Sequence, residues 1–202
     1  MARLGGSPTV QTLAVMAVVF LGQQVAGLIG AMGFLFVLGP TVPLRPWTLL
    51  TSIYAHGSLP HLLGNAAMLV LVGLIVESFT TTARYHAFFI ATGALSGLAQ
   101  ITLLPGSRVL GASGAIFAFL GYLVAANPVS SSVLDVLRLR RRTQLVLFAL
   151  LAVVVTLLTG APGVALVAHF TGFLLGLLTG RLGVLGTNRR RGQTQHTSGP
   201  PG

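Results

Sequence analysis

The chain has 202 residues, 53% of them hydrophobic and only 7% charged, against roughly a quarter charged in a soluble domain, so it cannot clothe a water-exposed surface. Its formal net charge of +10 comes from twelve arginines set against Glu77 and Asp135. These arginines punctuate long apolar runs instead of forming one basic stripe, which points to membrane topology and away from nucleic acid. With no cysteine there is no disulfide, no thiolate nucleophile and no Cys-based metal site.

In chain order, residues 1–9 form a short polar N-terminal tail. A membrane domain is expected over 10–183, and the basic tail 184–202, with little to bury, is expected to be disordered. A helix needs about 20 apolar residues to cross a bilayer core of roughly 30 Å. Six stretches qualify: Val10 to Gly30, His61 to Phe79, Arg84 to Leu103, Gly111 to Ala126, Thr143 to Gly160 and Gly163 to Arg181. The predicted fold class is therefore an all-α polytopic membrane protein, a bundle of six transmembrane helices. The first stretch also fits a cleaved signal peptide, but its apolar character continues past Gly27, which favours a retained helix. The long loop 31–60 is partly apolar and broken by Pro40, Pro43, Pro46 and Pro60. Irregular backbone is not tolerated against lipid, so this loop belongs at the interface or against other helices.

Six spans put both termini on one side. If that side is the cytoplasm, ten arginines lie inside and only Arg45 and Arg108 outside, a strong positive-inside signal. The expected location is thus a multi-pass protein of the plasma membrane with both termini cytoplasmic.

Polar residues inside spans are costly and by default mark function. In this topology Ser113 lies near the outer start of the fourth span. His169 lies about 9 Å below the outer surface, at 1.5 Å per residue. His56, His61 and Asn65 open the second span at similar depth, and no comparable group is expected in the inner half. Ser113 stands in Gly111-Ala112-Ser113-Gly114 at a helix start, where glycines allow close backbone approach and free N–H groups can stabilise an oxyanion. A serine needs a base to take its proton, and His169 is the candidate. Gly172, Gly176 and Gly180 repeat every fourth residue after it and give a smooth face for packing. Gly114, Ala118 and Gly121 offer a matching face on the fourth span. Both acids are expected on the cytoplasmic side, so a serine hydrolase built here works with a dyad. Taken singly, such a serine is more often a helix cap, and such a histidine or glycine repeat a packing feature. A histidine-only metal site from His56, His61 and His169 is an alternative, but no HExxH pattern accompanies it. No metal or other cofactor is expected.

Together these segments resemble the rhomboid family of intramembrane serine proteases, from about Trp47 to Gly180. GASG at 111–114 resembles the family's GxSG motif and implies Ser113 as nucleophile. AHFTGFLLG at 168–176 resembles the last-helix motif AHxxGxxxG and implies His169 as base. HGSLPHLLGN at 56–65 resembles the segment opening the second helix; by that resemblance His56 and Asn65 help the Ser113 N–H hold the oxyanion, and His61 is structural. Gly111, Gly114, His61, Phe117, Gly172 and Gly176 are the supporting positions. Two departures stand out. Trp47 is followed by Thr48 where family members often have Arg, and Phe117 stands where many have a Tyr stacked on the base; a phenyl ring keeps the stacking face.

The resemblance implies an endopeptidase that cuts transmembrane segments of other proteins, its partners being those substrates and the lipid bilayer. A protein of the same architecture that binds membrane helices without cutting them is the alternative. A small transporter or channel is disfavoured, because the polar residues gather at one depth instead of forming a path. Nothing in the pattern fixes an oligomeric state.

Overall fold

A computed structural model describes residues 6–126 and 165–186, with four isolated positions at 143, 146, 147 and 150. The fifth predicted span, Thr143 to Gly160, and the tail from 187 lie outside the described residues apart from those positions. Within them every regular element is helical, and the one β-type contact is an isolated antiparallel bridge between Leu38 and Val109. The helices are α1 (Pro8–Leu28), α2 (Met32–Phe36), α3 (Thr48–Tyr54), α4 (Leu59–Glu77), α5 (Thr82–Leu103), α6 (Ser113–Ala126) and α7 (Leu166–Arg181). A single 3-10 turn, Val42–Leu44, lies between α2 and α3.

Local chemistry sets the helix starts. Ser7, Ser58 and Thr81 each present a hydroxyl oxygen that accepts from the N–H three residues on, and Pro8 and Pro60 stand in the first turns, where a missing N–H costs nothing. All three starts therefore precede the apolar runs by two residues. Among the described residues three helices, α1, α4 and α5, are long and apolar enough to cross a membrane.

Burial sorts the helices into layers. On α1, Thr9, Thr12, Met16, Gln23 and Ala26 form one buried stripe. Val18, Leu21, Val25 and Leu28 on its other side are exposed, as suits a lipid-facing surface. Only five of the 19 residues of α4 are buried, but nine of the 14 in α6. α6 is thus the central helix of the described bundle.

The α6–α7 seam is the tightest among the described residues. A Cβ on Gly172, Gly176 or Gly121 would run into the carbonyl oxygens of Gly114, Ala118 and Phe173 respectively, and one on Gly180 would meet the Tyr122 oxygen at 2.7 Å. Without side chains at these positions the two backbones touch, and dispersion contacts replace the solvent-driven packing that lipid cannot supply.

The loop 31–60 packs against the bundle. Thr48, Ser52 and Ile53 of α3 are buried, and Ile53 fills the space beside Gly93 of α5. Thr48, at the position after Trp47, buries its side chain and donates to the Arg45 carbonyl at 2.7 Å.

One expectation fails. The end of the bundle away from Ser113 does hold a polar cluster. Glu77 Oε2 accepts from Ser7 Oγ at 2.7 Å and from the Thr9 N–H at 3.0 Å, and Thr9 shares a hydrogen bond with the buried Tyr85 hydroxyl. His86 pairs its Nε2 with Gln11 Oε1 at 2.9 Å. These groups satisfy one another and tie the start of α1 to the α4–α5 turn. The sequence places them 68 to 76 residues apart, so no local pattern announces them.

Candidate active site

At the other end of the bundle α6 and α7 begin side by side. Gly111 holds φ +133, a conformation open to glycine and strained for other residues. Its N–H donates to the Ser52 carbonyl at 2.8 Å, fixing the turn before Ser113, the first residue of α6. The first-turn N–H groups of a helix have no partner within it, so those of Ser113 and Gly114 point out of this start.

Phe117 lies one turn after Ser113 on the same face of α6. Its ring stacks on His169, with centroids 4.3 Å apart and planes inclined by 17°. Gly114 packs beside the Ala168 carbonyl and Gly172. Ser113 and His169 are thereby held at one level of the α6–α7 seam. His169 is 8% exposed and its Nδ1 has no hydrogen-bond partner. Among the described residues the only acid is Glu77, at the far end of α4, so none assists the imidazole.

The residues opening α4 divide. His61 and Asn65 share one helix face and converge on Gly111. A Cβ there would meet His61 Nε2 at 3.0 Å and Asn65 Nδ2 at 3.7 Å, and Nδ2 makes no hydrogen bond. His56 instead turns into the fold. It is 1% exposed and its ring meets that of His61 edge-on at 5.1 Å. Its Nδ1 is 3.1 Å from the Tyr54 carbonyl; a carbonyl only accepts, so Nδ1 carries the proton. Burial, with His61 beside it, pushes the His56 imidazole down to about 4, which keeps it neutral at pH 7 and leaves Nε2 with a lone pair. No group of three or more acidic or histidine side chains among the described residues could hold a metal ion.

Three positioning residues have no counterpart in the sequence motifs. Gln23 of α1 clamps the His56 backbone, accepting from its N–H at 2.9 Å and donating to its carbonyl at 3.3 Å. Gln100 of α5 accepts from the Ala168 N–H at 3.0 Å, capping α7 from another helix immediately before His169. Ser96, one turn before Gln100, sits buried against Gly114 and Gly172. An amide within an apolar helix is the one signal that could have marked the two glutamines.

Comparison with known proteins decides the lineage: the rhomboid domain matches residues 43–185. The chain belongs to the rhomboid family. It is 28% identical over 135 residues to RHOMBOID-like protein 4 of Arabidopsis thaliana, covering 66% of this chain and 33% of that one. RHOMBOID-like protein 7 of the same plant is 27% identical over 137 residues, 67% of this chain and 42% of its own. Rhomboid protease GlpG of Photorhabdus laumondii is 27% identical over 180 residues, 88% of this chain and 62% of the relative. The chain thus spans between a third and under two thirds of these relatives' lengths. The matched rhomboid region contains the whole α3–α7 assembly just described, including Ser113 and His169. It is an integral membrane protein of helical architecture.

Proposed function

We propose that the chain is an intramembrane serine endopeptidase with Ser113 as nucleophile and His169 as base. The observation that carries this reading is the α6–α7 seam, which holds a helix-start serine level with a buried histidine under the stacked Phe117 ring. His169 takes the Ser113 proton as Oγ attacks the scissile carbonyl, then returns a proton to the departing amine. Phe117 holds the imidazole plane throughout. No carboxylate is needed to orient the base, because the stack restricts it.

The tetrahedral oxyanion is held by the Ser113 N–H, the Asn65 amide and His61. The family resemblance gives the donor role to His56 and a structural one to His61; the geometry favours the reverse. His56 spends its proton on the Tyr54 carbonyl, whereas His61 and Asn65 reach the turn that precedes the nucleophile. Donors aimed at the developing charge are worth about 10²–10³ in rate.

The substrates are transmembrane segments of other proteins, and the chain spans the plasma membrane six times with both termini in the cytoplasm. The ten-to-two arginine distribution supports that orientation. Reporter fusions after Gly202 should read cytoplasm, and fusions between Pro105 and Arg108 the outside.

The decisive experiment incubates the purified protein, reconstituted in liposomes, with a test transmembrane substrate. Cleavage that Ser113→Ala abolishes is expected. Binding of the substrate without cutting by the wild-type chain would replace this reading with that of a helix-binding protein.

A further inference from the structure

We propose that Arg45 and Arg108 form a binding site for the phosphate of an anionic membrane phospholipid, beside the turn that carries Ser113. The proposal rests on the chain lying in a bilayer and not on its cutting anything.

A cavity of about 660 Å³ opens between the segment after α1 and the α5–α6 loop, and both arginines line it. They are the only charged side chains at this end among the described residues; Arg84 and Arg181 belong to the other end. Gly30, Gly33, Gly39 and Gly106 make up half of the remaining wall, which leaves room beside the cations. The one described acid, Glu77, is engaged by Ser7 and Thr9 at the far end of α4. The site therefore offers two guanidinium groups and brings no anion of its own, the arrangement that recognises a phosphate.

The surroundings select the source of that phosphate. Arg45 lies over the Phe34 ring, 4.9 Å from its centroid, which limits its freedom while leaving its N–H edges available. Phe34 packs on Trp47 at 5.1 Å, and the Trp47 indole N–H donates to the Phe34 carbonyl at 3.1 Å. Phe34 in the wall is an exposed apolar residue, as are Leu28, Ile29 and Leu44, which adjoin the lining residues Gly30 and Arg45 in sequence. A cation pair set among exposed apolar and aromatic side chains is the composition of the headgroup level of a membrane. A lipid satisfies both halves, its phosphate on the arginines and its acyl chains along the leucines. An acidic soluble segment would leave the apolar half uncovered. Gly39 packs along the Arg108 side chain, and Leu38 and Val109 exchange backbone hydrogen bonds at 3.0 and 2.8 Å. A bound headgroup therefore braces the segment that runs into Gly111.

Trp47 is the only tryptophan of the chain and reports directly on this segment. The full-length protein in neutral detergent is titrated with phosphatidylglycerol, phosphatidylcholine and inorganic phosphate while Trp47 fluorescence is followed. A saturable response to phosphatidylglycerol is expected, weaker for phosphatidylcholine and absent for millimolar inorganic phosphate. Arg45→Gln and Arg108→Gln should each weaken phosphatidylglycerol binding roughly fivefold, and the pair about twentyfold or more. Circular dichroism melting checks the variants; Arg108 is exposed, so its replacement tests the site even if Arg45→Gln unfolds. A response unchanged in Arg108→Gln, or equal for the zwitterionic lipid, overturns the proposal. Inorganic phosphate binding as tightly as the lipid overturns the lipid source. Because the readout is binding, a chain without protease activity gives the same answer.

Discussion

Phe117 and His169 are stacked face to face, 4.3 Å between centroids, and among the described residues no carboxylate pairs with that imidazole, the base of the proposed reaction. Removing the ring should therefore slow proteolysis without destroying the fold of the distant elements. Phe117→Ala also leaves a cavity in a buried place, at a cost of about 3–5 kcal/mol. Phe117→Tyr preserves the stacking face and should keep activity within a few-fold of wild type. Steady-state cleavage rates of the two variants check this: an alanine variant as fast as the tyrosine one would mean that the ring does not hold the base.

Ser113 and His169 are predicted to act as a unit. Each alanine variant alone should abolish cleavage, and the double variant should be no worse than either. As a helix-start residue Ser113 contributes about 1 kcal/mol at most through capping, so its variant should melt close to wild type. Additive losses in the double variant would break the pairing.

His56 and His61 are predicted to differ in kind. His61→Ala and Asn65→Ala should each lower kcat about 10²–10³-fold while leaving measurable turnover and an unchanged melting temperature. His56→Ala should instead lower the melting temperature, since it removes a buried ring and its hydrogen bond to the Tyr54 carbonyl. Equal kinetic defects with equal stabilities in the His56 and His61 variants would restore the donor role to His56.

The glycine seam gives a stability contrast. Gly176→Ala puts a methyl group against the Ala118 carbonyl and should destabilise strongly, whereas Gly64→Ala meets nothing within 4 Å and should be neutral or slightly stabilising. Thermal melting in detergent separates them. Similar melting temperatures would show that α6 and α7 can part without loss.

At the opposite end, Glu77→Gln keeps the size of the side chain but weakens the acceptor for Ser7 and the Thr9 N–H. The start of α1 should then open first, read as faster amide exchange at residues 9–12 with the α6–α7 seam still protected. Uniform protection across both regions would deny Glu77 that role.

Much is legible in the sequence because the bilayer imposes a one-dimensional rule. Each spanning helix must satisfy its own backbone and cover itself with apolar residues, so α1, α4 and α5 announce themselves by length alone. The glycines of α7 and the small residues of α6 repeat at helical spacing and offer matching faces, but only the close approach of the two backbones shows that they pair. Linear order does not decide which polar atoms face each other. His56 and His61 are five residues apart and chemically identical, and only the carbonyl of Tyr54 and the placement of Gly111 separate their roles. Gln23, Gln100 and Glu77 meet partners 33 to 70 residues away, and hydrogen bonds at that separation have no periodic signature. Arg45 and Arg108 come to one cavity for the same reason, through the pairing of Leu38 with Val109. Hydrophobic spacing determines which segments become helices; long-range hydrogen bonds and close backbone packing determine which of their residues share a site.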